Sequence, residues 1–435
     1  MRSHSNIQIN SRLLPILVGA IIIMQLIDDS KIWVTLLVGL GGVWLISYLW
    51  ARSLVSNIRL TREIRYGWVQ VGDRLEERFT LTNNGVAPAL WVEVKDQSTM
   101  PGYSVNRVTG VEGHGRNQWR TQSICNQRGL YTLGPTSIRT GDPFGVYTVN
   151  LTNPASTTLV VMPPIVPLPR IDVAPGGRTG EGRPRANAPE RTVSAGSVRE
   201  YFPGDSLRLI HWRTFARREV PYVRILDGTP SGDWWIILDL DQNVQAGHGW
   251  DSTVEHGVIL AASLADQGLR LRRAVGLIAN GKDLDWISPQ QGEGQRWIIL
   301  RSLALVGTGD RSLGELLKHT QPSIQHRSSL IVITPSLNSD WIETLIPLLW
   351  RDVVVTVLLL DPASFDMTAA ITGNTNKIAT TLSGLGVTRY VITRDLLNRP
   401  EARPGHEGQW EWRISPRGRA VPVRKPGNMA WKVLS

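Results

Sequence analysis

Asp233-Trp234-Trp235-Ile236-Ile237-Leu238-Asp239-Leu240-Asp241-Gln242-Asn243 decides the fold of the second half of this chain. An unbroken apolar run between two acids is too short for a buried helix. It also lacks the alternation of a strand with one wet face. It reads as a strand covered on both faces, as happens where helices pack on each side of a parallel sheet. The residues that follow agree. Val254, Val258, Ala261, Ala262, Ala265 and Leu269 fall on one helical face. Further apolar strands are expected at 274–279, 330–334, 353–361 and 387–392. Helices are expected between them at 295–306, 312–319, 341–350 and 378–385, with Pro347 kinking or shortening the third. Such alternation specifies a doubly wound α/β domain.

Immediately before this domain lies the densest polar stretch of the chain, 198–226, with six Arg, His211, Trp212 and the turn Pro203-Gly204. Pro presets φ and Gly permits φ > 0. Asp205 is then expected to cap a helix over 206–217, followed by a strand over 220–226. Arg208 and Trp212, four apart, would stack guanidinium on ring. An ion-paired brace, with Arg side chains meeting Glu200, Asp205 and Glu219, is the plainer reading; an anion-binding surface is the alternative. His211 reads either as a general base paired with Asp205 or, more plainly, as a structural bridge between backbone and carboxylate.

Further outward, 164–196 is rich in Pro, Gly and Arg and buries too little apolar surface to fold alone, so it reads as a linker. Residues 58–163 carry short alternating runs at 75–82 and 90–94, and others at 129–135, 136–140 and 159–162, separated by Gly, Asn and Pro. This is the pattern of an antiparallel β-sandwich-like domain. Its turn Asp142-Pro143-Phe144-Gly145 is expected to plug the sandwich end with Phe144. Residues 398–435 form a Pro/Gly/Arg-rich tail with one expected strand near 409–414.

Within the first 57 residues, 13–27 and 32–50 are almost wholly apolar, separated by Asp28, Asp29, Ser30 and Lys31. They read as two transmembrane helices in a tight hairpin. Arg2 and Arg12 precede it and Arg52, Arg59, Arg62 and Arg65 follow. The positive-inside rule puts both termini and the folded domains in the cytoplasm, on the cytoplasmic membrane.

The net charge of +10, carried mainly by Arg among 47 basic residues, calls for an anionic neighbour such as a lipid surface or an acidic protein. Nucleic acid is disfavoured, because the linker lacks interleaved aromatics and a strong basic excess. One cysteine, Cys125, excludes internal disulfides and Cys-based zinc sites. No phosphate loop of the Gly-x-x-x-x-Gly-Lys type, no His-Glu-x-x-His and no Gly-x-Ser-x-Gly elbow occurs.

Ligands of doubly wound sheets sit beyond the carboxyl ends of the strands. There, Asp239, Asp241 and Asn243 offer oxygens at alternate positions, and Thr308 offers a hydroxyl in a Gly-rich loop. A hard cation such as Mg²⁺ takes oxygen ligands of this kind. The spacing resembles the metal-ion-dependent adhesion site of von Willebrand factor A domains. The Asp which that family places after a later strand has no counterpart, since Thr334 is followed by Pro335-Ser336.

Arg199-Glu200-Tyr201, Pro203-Gly204-Asp205, Arg208, His211-Trp212 and Ala216-Arg217 together resemble the signature of the bacterial family catalogued as domain of unknown function 58. The resemblance runs over nearly the whole chain. It implies a multidomain membrane protein with two N-terminal helices, a β-rich segment ending near an Asp-Pro-Phe-Gly turn, the signature, and a von Willebrand A-like domain. It also implies a partner or adaptor of a MoxR-type AAA+ ATPase in protein assembly or maturation, and the missing third acid and missing nucleophile favour a non-enzymatic interaction protein over an enzyme. The alternative from the residues is a metal-dependent hydrolase using Asp239, Asp241 and His211.

Overall fold

A computed structural model describes residues 4–168, 171, 173, 195–201, 210–218, 220–226, 233–324, 328–366, 374–397, 411–414, 420–424 and 432–433. The chain divides into two compact units, Met1–Pro164 with Pro400–Ser435, and Ile165–Arg399.

The first unit begins with a strand, β1 (His4–Ile9), and two helices, α1 (Leu13–Ile27) and α2 (Lys31–Asn57). There follow β2 (Ile58–Ile64), β3 (Trp68–Gln70), β4 (Arg74–Asn83), β5 (Ala89–Asp96) and β6 (Arg107–Val111). Next come β7 (Arg116–Ile124), β8 (Gly129–Leu133), β9 (Thr136–Gly141), β10 (Tyr147–Asn153) and β11 (Thr157–Met162). One sheet runs β1-β10-β9-β5-β6, all antiparallel. A second runs β2-β4-β7, again antiparallel, and a third runs β3-β11-β8, in which β3 and β11 pair in parallel. The parallel pair and the strands β1, β6, β7 and β10 lie outside the pattern expected from sequence.

Alternation sets the core. In β2, Ile58, Leu60, Arg62 and Ile64 all face inward. Phe79 of β4 stacks on Trp119 of β7 with ring centres 5.5 Å apart. Arg62 is as buried as the apolar residues beside it and bonds Glu77 of β4 through two nitrogens, at 2.9 and 2.8 Å. Its third nitrogen reaches Asp96 of β5 at 2.7 Å, so one guanidinium ties the second sheet to the first. Burial pushes Glu77 above the ordinary carboxylate range even with Arg62 beside it.

Both helices are apolar, yet they differ in length. Asp28 and Asp29 accept from Trp33 and Gln25, and Ser30 caps α2 by accepting from the Ile32 N–H, which closes the turn between them. Among the described residues α2 alone is long and apolar enough to cross a bilayer. The 15 residues of α1 span about 22 Å at 1.5 Å each, short of a core of about 30 Å. The expected pair of full spans therefore reduces to one candidate span with a shorter apolar helix. The end of α2 also differs from expectation. It continues to Asn57 because Ser47, Ala51 and Leu54 are buried.

The second unit opens with β12 (Ala195–Glu200), α3 (Trp212–Arg218) and β13 (Tyr222–Leu226). It continues with β14 (Trp234–Asp239), α4 (Thr253–Arg270), β15 (Val275–Asn280), β16 (Leu284–Gln290), α5 (Glu293–Leu305) and α6 (Leu313–Thr320). Then follow β17 (Ser329–Thr334), α7 (Asp340–Glu343), α8 (Ile346–Leu349), β18 (Val354–Leu360), α9 (Pro362–Phe365), α10 (Thr375–Gly384) and β19 (Thr388–Ile392). The sheet order is β16-β15-β14-β17-β18-β19, parallel except for β16. Trp235, Ile237, Val332 and Val357 pack on one face with Leu317 of α6, Trp341 of α7, Leu348 of α8 and Leu382 of α10. On the other face Gly257 of α4 sits against Leu238, Ile333 and Leu360.

The helix expected at 341–350 is two short helices, with Pro347 in the first turn of α8. Edge strand β16 escaped the sequence reading because Pro289 interrupts a run that is only partly apolar. The chain ends with β20 (Glu411–Ile414) paired to β21 (Ala420–Arg424), and β22 (Lys432–Val433), which adds to the edge of β2 in the first unit.

Two local expectations are corrected. Phe144 does not plug the sandwich, since its side chain is 56% exposed. A continuous helix over 206–217 is also excluded: Ile210 forms a β-bridge with Val223, and the His211 N–H donates to the Tyr222 carbonyl at 2.7 Å. Backbone committed to β13 cannot be helical, so α3 starts only at Trp212.

Candidate functional site

The order of the six-stranded sheet reverses direction at β14, which is followed in sequence by β15 on one side and flanked by β17 on the other. That places the candidate site beyond the carboxyl ends of β14 and β17. Asp239 ends β14 and is buried. Its Oδ2 accepts from the Thr334 hydroxyl at 2.6 Å, and its Oδ1 accepts from the Asp241 N–H at 3.1 Å. The Thr334 oxygen in turn accepts from the Ser336 N–H at 2.9 Å. Burial pushes Asp239 up to about 6, against the lowering effect of these donors.

Asp241 folds back on its own loop. Its Oδ1 accepts from both the backbone and the side-chain nitrogens of Asn243, at 3.0 and 2.8 Å. The loop is then clamped by a second one. Gly309 donates to the Leu240 carbonyl at 3.0 Å and accepts from the Gln242 N–H at 2.8 Å. This approach needs glycine: a Cβ on Gly309 would lie 2.0 Å from the Gly281 carbonyl oxygen. Thr308 is carried on the same loop, exposed, and Asp310 beside it accepts from the Gln242 amide. One strand further along, Asp361 follows β18 and accepts from Thr375 at 2.7 Å.

A divalent cation needs several oxygens free to turn toward it. Among the described residues no three His, Cys, Asp or Glu side chains gather as ligands. Both oxygens of Asp239 already accept protein hydrogen bonds, one of them from the Thr334 hydroxyl, and no acid directly follows Thr334. A neutral hydroxyl cannot offset the ion's charge. The set Asp239, Asp241, Asn243 and Thr308 does not fit Mg²⁺ as arranged.

The signature is divided. Pro203, Gly204, Asp205 and Arg208 lie outside the described residues, as does Glu219. Arg199 and Glu200 pair with Val223 and Tyr222 across the β12–β13 ladder, and the Tyr201 N–H donates to the Pro221 carbonyl at 2.9 Å. His211 Nδ1 lies 2.6 Å from the Thr214 hydroxyl, and the His211 carbonyl accepts from the N–H groups of Thr214 and Phe215. His211 thus opens α3 rather than meeting Asp239 or Asp241; no hydrogen bond among the described residues joins them. Trp212 is exposed and meets Phe215 edge to face, and Ala216 and Arg217 are exposed on the same helix.

Sequence reasoning missed Thr334 and Asp361, although both directly end or follow an apolar strand and could have been found by that position. It also missed His256. That ring is buried between the Ser252 and Arg394 carbonyls and the Phe365 ring, and burial lowers its pKa.

Residues 197–376 match the family described as Protein of unknown function DUF58. The matched segment runs from β12 into α10, so it holds both the signature residues and the carboxyl ends of β14 and β17. An uncharacterized protein of Mycobacterium tuberculosis is 24% identical over 181 residues, covering 40% of this chain and 56% of that one. The uncharacterized protein YeaD of Bacillus subtilis is 23% identical over 261 residues, covering 58% of this chain and 63% of that one. The chain thus spans less than two-thirds of the length of these relatives. Among solved structures, a CARDB domain from Pyrococcus furiosus crystallised with di-metal ions is 15% identical, with a TM-score of 0.18 over 24% of this chain and 94% of its own. An alkylpurine DNA glycosylase of Pseudomonas fluorescens is 12% identical, with a TM-score of 0.17 over 34% of this chain and 43% of its own. Scores this low carry no weight for the fold.

Proposed function

We propose that the chain is a membrane-anchored, non-enzymatic protein-interaction module that serves as adaptor for an ATPase of the MoxR class. The observation that carries this reading is the closed rim above β14. The Asp239 carboxylate, the Thr334 hydroxyl and the Ser336 N–H satisfy one another, and Asp239 and Thr334 are buried, so the hydroxyl that stands beside a carboxylate here is closed off from a substrate. Such a rim can present loops to a protein partner but offers no group to attack a substrate. The strand order β16-β15-β14-β17-β18-β19, with one antiparallel edge strand, supports reading this part as a von Willebrand A-like domain and so favours binding over catalysis. The hydrolase alternative needs His211 beside Asp239, and His211 is engaged at α3.

Membrane attachment is supported by chain path. The strand before α1 pairs with β10, and β10 follows α2 in sequence. Whatever α2 does, the chain leaves and rejoins the same sheet, so α1 and the turn at Asp28 must make the outward passage if α2 makes the return. This favours two crossings with the folded units on one side, and the flanking Arg residues favour the cytoplasm.

Crosslinking the full-length protein in its native membrane should recover an AAA+ ATPase. Recovery of none, together with hydrolysis of a test ester or phosphoester lost in Asp239→Ala, would reverse the assignment. Titration of Mg²⁺ into the detergent-solubilised protein should give no binding heat; a saturable heat absent from Asp241→Ala would restore the metal site. A reporter active only outside the membrane, fused after Ser435, should stay inactive.

A further inference from the structure

We infer that the turn Asp142–Gly145 is a membrane-interface anchor, with the Phe144 ring seated among phospholipid headgroups. This rests on the reading that α2 enters a bilayer. Phe144 is 56% exposed, so the fold leaves much of its ring uncovered. The turn is held without it: the buried Asp142 carboxylate accepts from the N–H groups of Phe144 and Tyr147, and Gly145 supplies the left-handed φ of 72°. A single exposed ring is ordinary on a protein surface, so what matters is where this turn is fastened.

Position identifies what meets the ring. The Asn10 N–H donates to the Val146 carbonyl at 2.8 Å, and its side-chain amide reaches the Gly145 carbonyl at 3.3 Å. The turn is therefore fastened to the chain three residues before α1 begins. From α2, Trp44 Nε1 donates to the Tyr147 hydroxyl at 2.7 Å, and the Tyr48 ring meets Tyr147 edge-on. Trp44, Tyr48 and Tyr147 thus meet one another, Phe144 precedes Tyr147 by three residues on the fastened turn, and the exposed Arg12 follows Asn10 by two. Aromatic rings with a basic side chain are the composition of a bilayer's interfacial belt. The outward surface of α1 beyond it is apolar, with Leu13 and Ile16 each 68% exposed. Lipid that covers those residues continues onto Phe144.

A thiol-reactive nitroxide tests the placement. Cys125 is buried and its thiol is pushed up to about 12, so the native chain takes little label. Full-length chains carrying Phe144→Cys, Val38→Cys or Ser156→Cys are labelled and reconstituted in phosphatidylcholine/phosphatidylglycerol vesicles. Val38 lies on the exposed face of α2, and Ser156 lies beyond the far end of β10. The label at 144 should be several-fold less accessible to an aqueous nickel chelate than the label at 156, and more accessible to oxygen, though less deeply placed than the label at 38. Equal nickel access at 144 and 156, with 38 embedded, overturns the anchor and leaves the membrane reading intact. Nickel access at 38 as well removes both. A label at 144 shielded from oxygen and nickel alike would mean cover by protein, and also overturns it. Pro143→Cys, on the same turn, is the second reporter should the first variant misfold.

Discussion

Arg62→Ala lowers the stability of the first unit by about 3–5 kcal/mol, the cost of leaving buried charges without their partner. The guanidinium is the only cation that the structure gives to Glu77 and Asp96 among the described residues, and both carboxylates have almost no solvent contact. One oxygen of Asp96 already lacks a hydrogen-bond partner. Removing Arg62 therefore strands two acids between the sheets, where water cannot reach them. The Arg62 guanidinium also lies over the Phe79 ring, its carbon 5.3 Å from the ring centre. Arg62→Lys recovers little, because an ammonium cannot hold Glu77 through two parallel bonds while reaching Asp96. Denaturant unfolding of the detergent-solubilised protein, followed by the near-ultraviolet signal of the Phe79–Trp119 stack, measures the loss. A change under about 1 kcal/mol, the range of exposed pairs, would show that the network contributes no more than a surface bridge.

Asp239→Asn should stabilise the second unit above pH 6 and flatten its acid dependence. In the folded chain the carboxyl is raised from 3.8 to about 6. The folded state therefore holds the proton more tightly than the unfolded state. Stability from this group is fully present below pH 3.8, falls as the pH rises to about 6, and stays low above that. A shift of about two units corresponds to roughly 2–3 kcal/mol. Asparagine keeps the shape, accepts from the Asp241 N–H, and can donate to a Thr334 hydroxyl that has turned. Comparing the denaturation midpoints of the two proteins between pH 4 and pH 8 isolates this residue, since other groups cancel. Equal midpoints at every pH would show that Asp239 carries no such penalty. A variant less stable than the parent at pH 8 would show that the ionised carboxylate is needed, as a bound cation would require.

Much of the second unit was legible. Continuous apolar strands can be stable only between two covered faces, so 234–238, 330–334 and 353–361 announced a parallel sheet. Asp239 and Asp241 were legible for the same reason, since polar residues directly after such strands mark the rim. The state of the rim was not legible. Whether Asp239 faces an ion or a hydroxyl depends on Thr334, which is 95 residues away. No local pattern encodes that distance.

The first unit shows the same division. The apolar runs of α1 and α2 and the alternation of β4 and β5 follow from side-chain transfer energies and the two-residue period of a strand, which act locally. By itself the sequence determined two apolar helices, a β-rich region, a parallel sheet and a rim of oxygens. Tertiary structure decided that β1 joins β10 across the helices, that Arg62 spans two sheets, that Ile210 and His211 serve β13 rather than a longer helix, and that Phe144 faces outward. Each of these depends on a pairing between distant backbone segments, or on which side chain loses its water when sheets meet. Neither is set by neighbours in sequence.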